Sequence, residues 1–127
     1  MEKNILYLKC YDNCTELIYS FCNEKIEKKY TKILNEECIK YISTLEGRKK
    51  AMSIHWGSNY NVPIYICEGI CLFRIDSLNL VNVYNVEKVF NNMIIFNSGD
   101  TIELVKAERN IKNKLKRVKM ILEKLEN

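Results

Sequence analysis

The run Ile64-Tyr65-Ile66-Cys67-Glu68-Gly69-Ile70-Cys71-Leu72-Phe73-Arg74-Ile75 sets two apolar segments on either side of a Glu-Gly pair. Segments rich in β-branched and aromatic residues, separated by two turn-forming residues, have the form of a β-hairpin. A polar loop, Gly57 to Pro63, leads into it. A second hairpin follows at Met93–Phe96, Asn97-Ser98-Gly99-Asp100 and Thr101–Leu104, and between the two, Leu80–Tyr84 and Val86–Phe90 read as one bent strand or two short ones. Upstream, Asn4–Cys10 and Thr15–Cys22 have strand composition, with Tyr11-Asp12-Asn13 as the turn. Lys25–Leu34 reads as a third, more polar strand, so the first third of the chain is expected to be an antiparallel meander.

The period changes at Asn35-Glu36-Glu37, where Asn is a good N-cap and two carboxylates suit a first turn, predicting a short helix over Glu36–Ser43. Thr44 then caps a second helix with Leu45, Met52 and Trp56 at helical spacing, weakened by Gly47 inside it and stopped by Gly57. The last element is a helix over Ala107–Leu125. Its Ile111, Leu115, Val118, Leu122 and Leu125 fall within about 40° of one line at 100° per residue. Arg109, Lys112, Lys116 and Lys119 lie roughly 80 to 160° round from that stripe, with Lys106, Arg117 and Lys124 further along the same arc. The expected fold is therefore α+β: a single compact domain spanning residues 1–127, antiparallel and β-rich, with short central helices and a C-terminal amphipathic helix.

A chain of 127 residues, 47% hydrophobic and 28% charged, is enough for one ordinary core. No run of about 18 apolar residues predicts a membrane span, and Met1-Glu2-Lys3-Asn4-Ile5 lacks the features of a signal peptide, so a cytoplasmic protein is expected. The six cysteines include two Cys-x-x-x-Cys pairs rather than the two-residue spacing of zinc knuckles, and the only histidine is His55; core filling accounts for them better than metal. His55 has no sequence-visible partner for acid–base or nucleophilic work, and Asp12, Asp76 and Asp100 each sit at a turn. No glycine-rich phosphate cradle is present. Neither an enzyme, a small-molecule substrate nor a cofactor is expected. Charge points elsewhere: the formal +4 arises in residues 106–127, where eight Lys or Arg face three Glu. A polyanion engaging about five such cations would bind with a log-log salt slope near −4.5.

The order of residues says more. Glu37 through Ala51, with Gly47-Arg48-Lys49 inside it, continues to Pro63-Ile64-Tyr65-Ile66 and Ile70-Cys71-Leu72-Phe73, and a second block runs Ile95-Phe96-Asn97-Ser98-Gly99-Asp100-Thr101-Ile102-Glu103-Leu104. These blocks resemble the competence transcription factor family ComK over roughly residues 14 to 122. The resemblance implies an activator of DNA-uptake genes that binds double-stranded AT-rich DNA through the minor groove and works as a homo-oligomer, a dimer or higher, located at the nucleoid when bound. It makes Arg48 and Lys49 the groove candidates, with Lys50 a phosphate contact beside them and Arg109, Lys112, Lys116 and Lys119 positioning the backbone. A narrow A·T minor groove attracts such cations electrostatically. The family's C-terminal tail, read by a proteolytic adaptor, has no counterpart up to Asn127, and that control is not expected to carry over. The competing reading is a protein-interaction module of the same fold that does not bind DNA, its helical stripe serving as an oligomer seam.

Overall fold

The computed structural model describes residues 1–127. In chain order its elements are β1 (Tyr7–Cys10), β2 (Thr15–Ile18), β3 (Asn23–Ile26), α1 (Tyr30–Ile39), α2 (Leu45–Trp56), β4 (Ile64–Cys67), β5 (Ile70–Arg74), β6 (Asn79–Asn82), a 3₁₀ turn at Val83–Asn85, β7 (Val86–Phe90), β8 (Met93–Phe96), β9 (Thr101–Glu103) and α3 (Glu108–Glu126). Two antiparallel sheets result: one of six strands in the order β3-β2-β1-β6-β5-β4, and one of three, β7-β8-β9. The architecture is the expected α+β type, and the stretch around residue 84 forms two strands in different sheets.

The opening hairpin sits where the apolar runs require. Ile70 and Leu72 of β5 face one core with Leu34, Cys38 and Leu45, while Cys71 and Phe73 face another with Val86, Ile94, Phe96, Leu115 and Val118. Successive side chains of a strand point to opposite faces, so an unbroken apolar run marks a strand buried on both. α1 and the start of α2 cover one face, and the small sheet and α3 cover the other. α2 packs along β4 and runs from Leu45 in the first core to Trp56 in the second, which shields that edge of the large sheet. Gly69 turns the hairpin with φ 101°, a conformation costly for any residue with a Cβ. Ile111, Leu115, Val118 and Leu122 are all buried in the chain's own core, so the stripe of α3 is packing and not an oligomer seam; Leu125 beyond them is 42% exposed.

The expected third strand is corrected. β3 ends at Ile26, and residues 30–34 are already the first turns of α1, because Ile33, Leu34, Glu37 and Cys38 bury one helical face. The helix begins at Tyr30 rather than Glu36, after Lys29, which makes no side-chain cap. Asn35 does cap a helix, but the following one: its Oδ1 accepts the Leu45 N–H at 2.9 Å, beside the Thr44 hydroxyl that accepts from Gly47 N–H at 3.0 Å. Glu36 is taken by Lys28 at 3.1 Å, and Glu37 by the N-terminal ammonium at 2.8 Å and Lys40 at 2.5 Å.

Between the two faces lies one wholly buried amide. The Asn82 Oδ1 accepts the Cys71 N–H at 3.0 Å, and its Nδ2 donates to the carbonyls of Gly69 at 3.0 Å and Ile5 at 3.2 Å. Asn85 adds a donor to Ile5 O at 2.7 Å. Three segments distant in sequence are thus joined through side-chain amides.

Asn82→Leu keeps the volume but leaves buried backbone groups unpaired, and is expected to cost on the order of 3 kcal/mol, read as a lower urea midpoint at unchanged slope. A loss below roughly 1 kcal/mol would show that these groups find other partners. Glu37 gives a pH signature. Burial pushes its carboxyl up, but the hydrogen bonds and charges of Lys40 and the N-terminal ammonium together outweigh burial and hold it below the usual range. A carboxyl lowered on folding stabilises above its unfolded pKa, and that contribution is lost as pH falls through the folded value. The stability of Glu37→Gln is therefore expected to fall less steeply than wild type below about pH 4.5, measured by urea unfolding across that range; parallel curves would contradict the assignment.

Candidate nucleic-acid interface

α2 buries Leu45, Met52 and Trp56 and ends at Gly57, whose φ of 80° allows its N–H to reach the Ser53 carbonyl at 2.8 Å. At 100° per residue, Arg48 and Lys49 then fall on opposite flanks of that buried line, and Lys50 points outward. The expected groove pair therefore opens into two different hollows. Arg48 leans over the Tyr65 ring at 5.7 Å, in a shallow depression of about 540 Å³ shared with Lys3, Lys40 and Tyr41. Its Nε is buried and nothing in the chain accepts from it.

Lys49 lines the larger cleft, about 710 Å³, formed by α2, the 59–62 loop, the β5–β6 turn and the segment before α3. Arg74 and Lys106 reach the same cleft, with Tyr30, Tyr60 and Asn79. Arg74 stacks over Tyr30 at 5.0 Å and donates to the carbonyls of Asp76 and Ser77, both at 3.2 Å. The one acid there, Asp76, is spent internally: Oδ1 accepts from the N–H groups of Leu78 at 2.8 Å and Asn79 at 2.7 Å, and Oδ2 from the Asn79 amide at 3.0 Å. The result is a cleft with three cations and no free carboxylate. Sequence reasoning missed Arg74; the only signal was a charge interrupting the apolar hairpin.

On α3, Arg109, Lys112 and Lys116 are exposed as expected, and both margins of the basic arc make contacts within the chain. Arg117 lies over the Trp56 ring at 4.3 Å and donates to the Trp56 carbonyl, a good position for a cation at the C-terminus of α2. Lys119, expected to position the DNA backbone, is half-buried and donates through Nζ to Val86 O at 2.6 Å; burial lowers its pKa. Lys106 stands ahead of the helix, in the cleft.

Every salt bridge in the molecule lies within residues 1–40. None of the thirteen Lys and Arg residues beyond that point has an acidic partner within bridging distance. His55 is exposed, the six cysteines are unpaired, and no three His, Cys, Asp or Glu side chains gather in a metal-binding arrangement. No helix is long and apolar enough to cross a membrane.

No curated protein matches the chain. A protein-family model described as ComK protein does match it, over residues 6–127, which is nearly its whole length. The chain belongs to the ComK family.

Proposed function

We propose that this protein is a transcription regulator of competence that binds double-stranded AT-rich DNA through the minor groove as a homo-oligomer, in the cytoplasm and at the nucleoid when bound. ComK is a family of transcription factors, and membership supports a role in competence-related regulation. The observation that carries DNA binding is the confinement of every ion pair to residues 1–40, which leaves the cations of α2, the cleft and α3 unneutralised for an external polyanion. Arg48 and Lys49 take the groove, from the two flanks of α2. Lys50, Lys106, Arg109, Lys112 and Lys116 contact phosphates, which fix register without carrying sequence. Lys119 contributes to the positive field while its ammonium stays on Val86 O.

A fluorescent AT-rich duplex is expected to bind more tightly than a GC-rich duplex of equal length. Five phosphate contacts set a log-log salt slope of about −4.5 for both. Equal and feeble binding of the two duplexes at low salt would overturn the reading. Within the site, Lys112→Ala is expected to weaken both duplexes alike and flatten the slope by about 0.9. Arg48→Ala is expected to narrow the AT-over-GC preference by on the order of 1 kcal/mol. The reverse pattern in paired titrations would exchange the groove and backbone assignments.

A further inference from the structure

The turn that closes α1 holds an apolar residue in the left-handed region. Ile42 has φ 55°, and every other residue at positive φ is a glycine or an asparagine. Two nested bonds impose the conformation: Ile42 N–H donates to Ile39 O at 3.0 Å, and Ser43 N–H to Cys38 O at 3.1 Å. Helices that end on this pair of bonds usually place glycine at the inner donor, because a Cβ is crowded there and a β-branched side chain more so. Packing within the chain does not offset the strain, since Ile42 is 98% exposed. The turn is nevertheless firmly held. Cys38 before it and Leu45 after it are buried in the same core, and Asn35 Oδ1 accepts the Leu45 N–H from across the turn at 2.9 Å. A strained residue kept in place by its surroundings points to function.

Its neighbours indicate what it meets. Ile42 lines the depression that Arg48 leans into, with Lys3, Lys40 and Tyr41, and Glu68 is the one acid on that lining. Lys40 is held by Glu37, whereas Lys3 and Arg48 have no acidic partner within bridging distance. A single apolar finger beside free cations suits a minor groove, which is about 6 Å wide and admits side chains but not a helix. Apolar side chains set between base steps there unstack them and kink the duplex by roughly 20 to 90°. We propose that Ile42 is a wedge that enters a base step of the AT-rich minor groove beside Arg48. It rests on the groove reading proposed above. The turn is formed before DNA arrives, so little ordering remains to be done on binding. The wedge also selects among AT-rich sequences. TpA steps open readily, whereas A-tracts are stiff with a narrow groove, so Ile42 favours the first and Arg48 the second.

Two AT-rich duplexes of equal length, one with a central TpA step and one an unbroken A-tract, test it when dyes at both ends report binding and end-to-end distance together. Wild type is expected to shorten the TpA duplex on binding. Ile42→Gly is expected to bind that duplex about tenfold more weakly and without shortening it, while its affinity for the A-tract changes less than about twofold. Its urea midpoint is expected to rise, because glycine relieves the turn, so that lost binding is not lost fold. Ile42→Leu, still apolar, is expected to keep the wild-type preference. A glycine variant that binds and bends the TpA duplex as wild type does overturns the wedge, and an intact AT-over-GC preference then leaves the groove reading standing. A wild type with no AT-over-GC preference overturns both. A lowered midpoint in the glycine variant overturns the strain argument, and a variant altered only in its sedimentation assigns the turn to a protein contact instead.

Discussion

The Asn82 carboxamide has no exposed surface, and its hydrogen bonds reach backbone of the β4–β5 hairpin and of the segment leading into β1, while its own N–H donates to Leu6 O at 2.8 Å. A buried polar group of this kind is costly unless fully matched, so the surrounding strands are held in the one register that matches it. That register decides which residues of β5 look to each core: with Leu72 opposite Asn82, Ile70 and Leu72 face the helices α1 and α2, and Phe73 faces the small sheet and α3. Both layers depend on β5 being apolar on both sides, and the position of each cation-bearing helix follows from it.

The helices are fixed to one another by cations as well as by apolar contact. Arg117 ties the middle of α3 to the last carbonyl of α2 across the Trp56 ring, and Trp56 in turn lies 5.6 Å from Phe73. Lys119 ties the opposite flank of α3 to the beginning of β7. What is left for a partner is the centre of the arc, Arg109, Lys112 and Lys116, together with Lys49, Arg74 and Lys106 gathered from three different elements. The acids are arranged to leave these alone: Asp76 is closed on its own turn, and Asp100 accepts from Ser20 and Ser98 at 2.8 and 2.6 Å.

Where local rules act alone, the sequence was legible. The two hairpins, the Thr44 cap with its Gly57 stop, and the stripe of α3 are each specified by residues within a few positions of one another, and each is found within two residues of where its pattern placed it, apart from the exposed Leu125 at the end of the stripe. The start of α1 was not legible, because Lys29 offers no cap and the helix is held by burial of Leu34 and Cys38 against strands far along the chain. Asn35 carried a true capping signal whose target was the next helix, a distinction that no local window contains. The candidate site was half visible. Exposed basic residues were readable from periodicity, but the internal contacts of Lys119 and Arg117, the opposite flanks of Arg48 and Lys49, and the entry of Arg74 into the cleft all depend on tertiary neighbours.

The pairing of β1 with β6 sets Tyr7 beside Val81 and Leu8 beside Leu80. During synthesis the first three strands emerge long before the strand that completes their sheet, and a meander with an apolar open edge is held in that state until residues 79–82 have left the ribosome. Closure then joins the oldest and the newer parts of the chain in one step, through Asn82. Until then the β1 edge lacks the neighbour that occupies it in the finished fold.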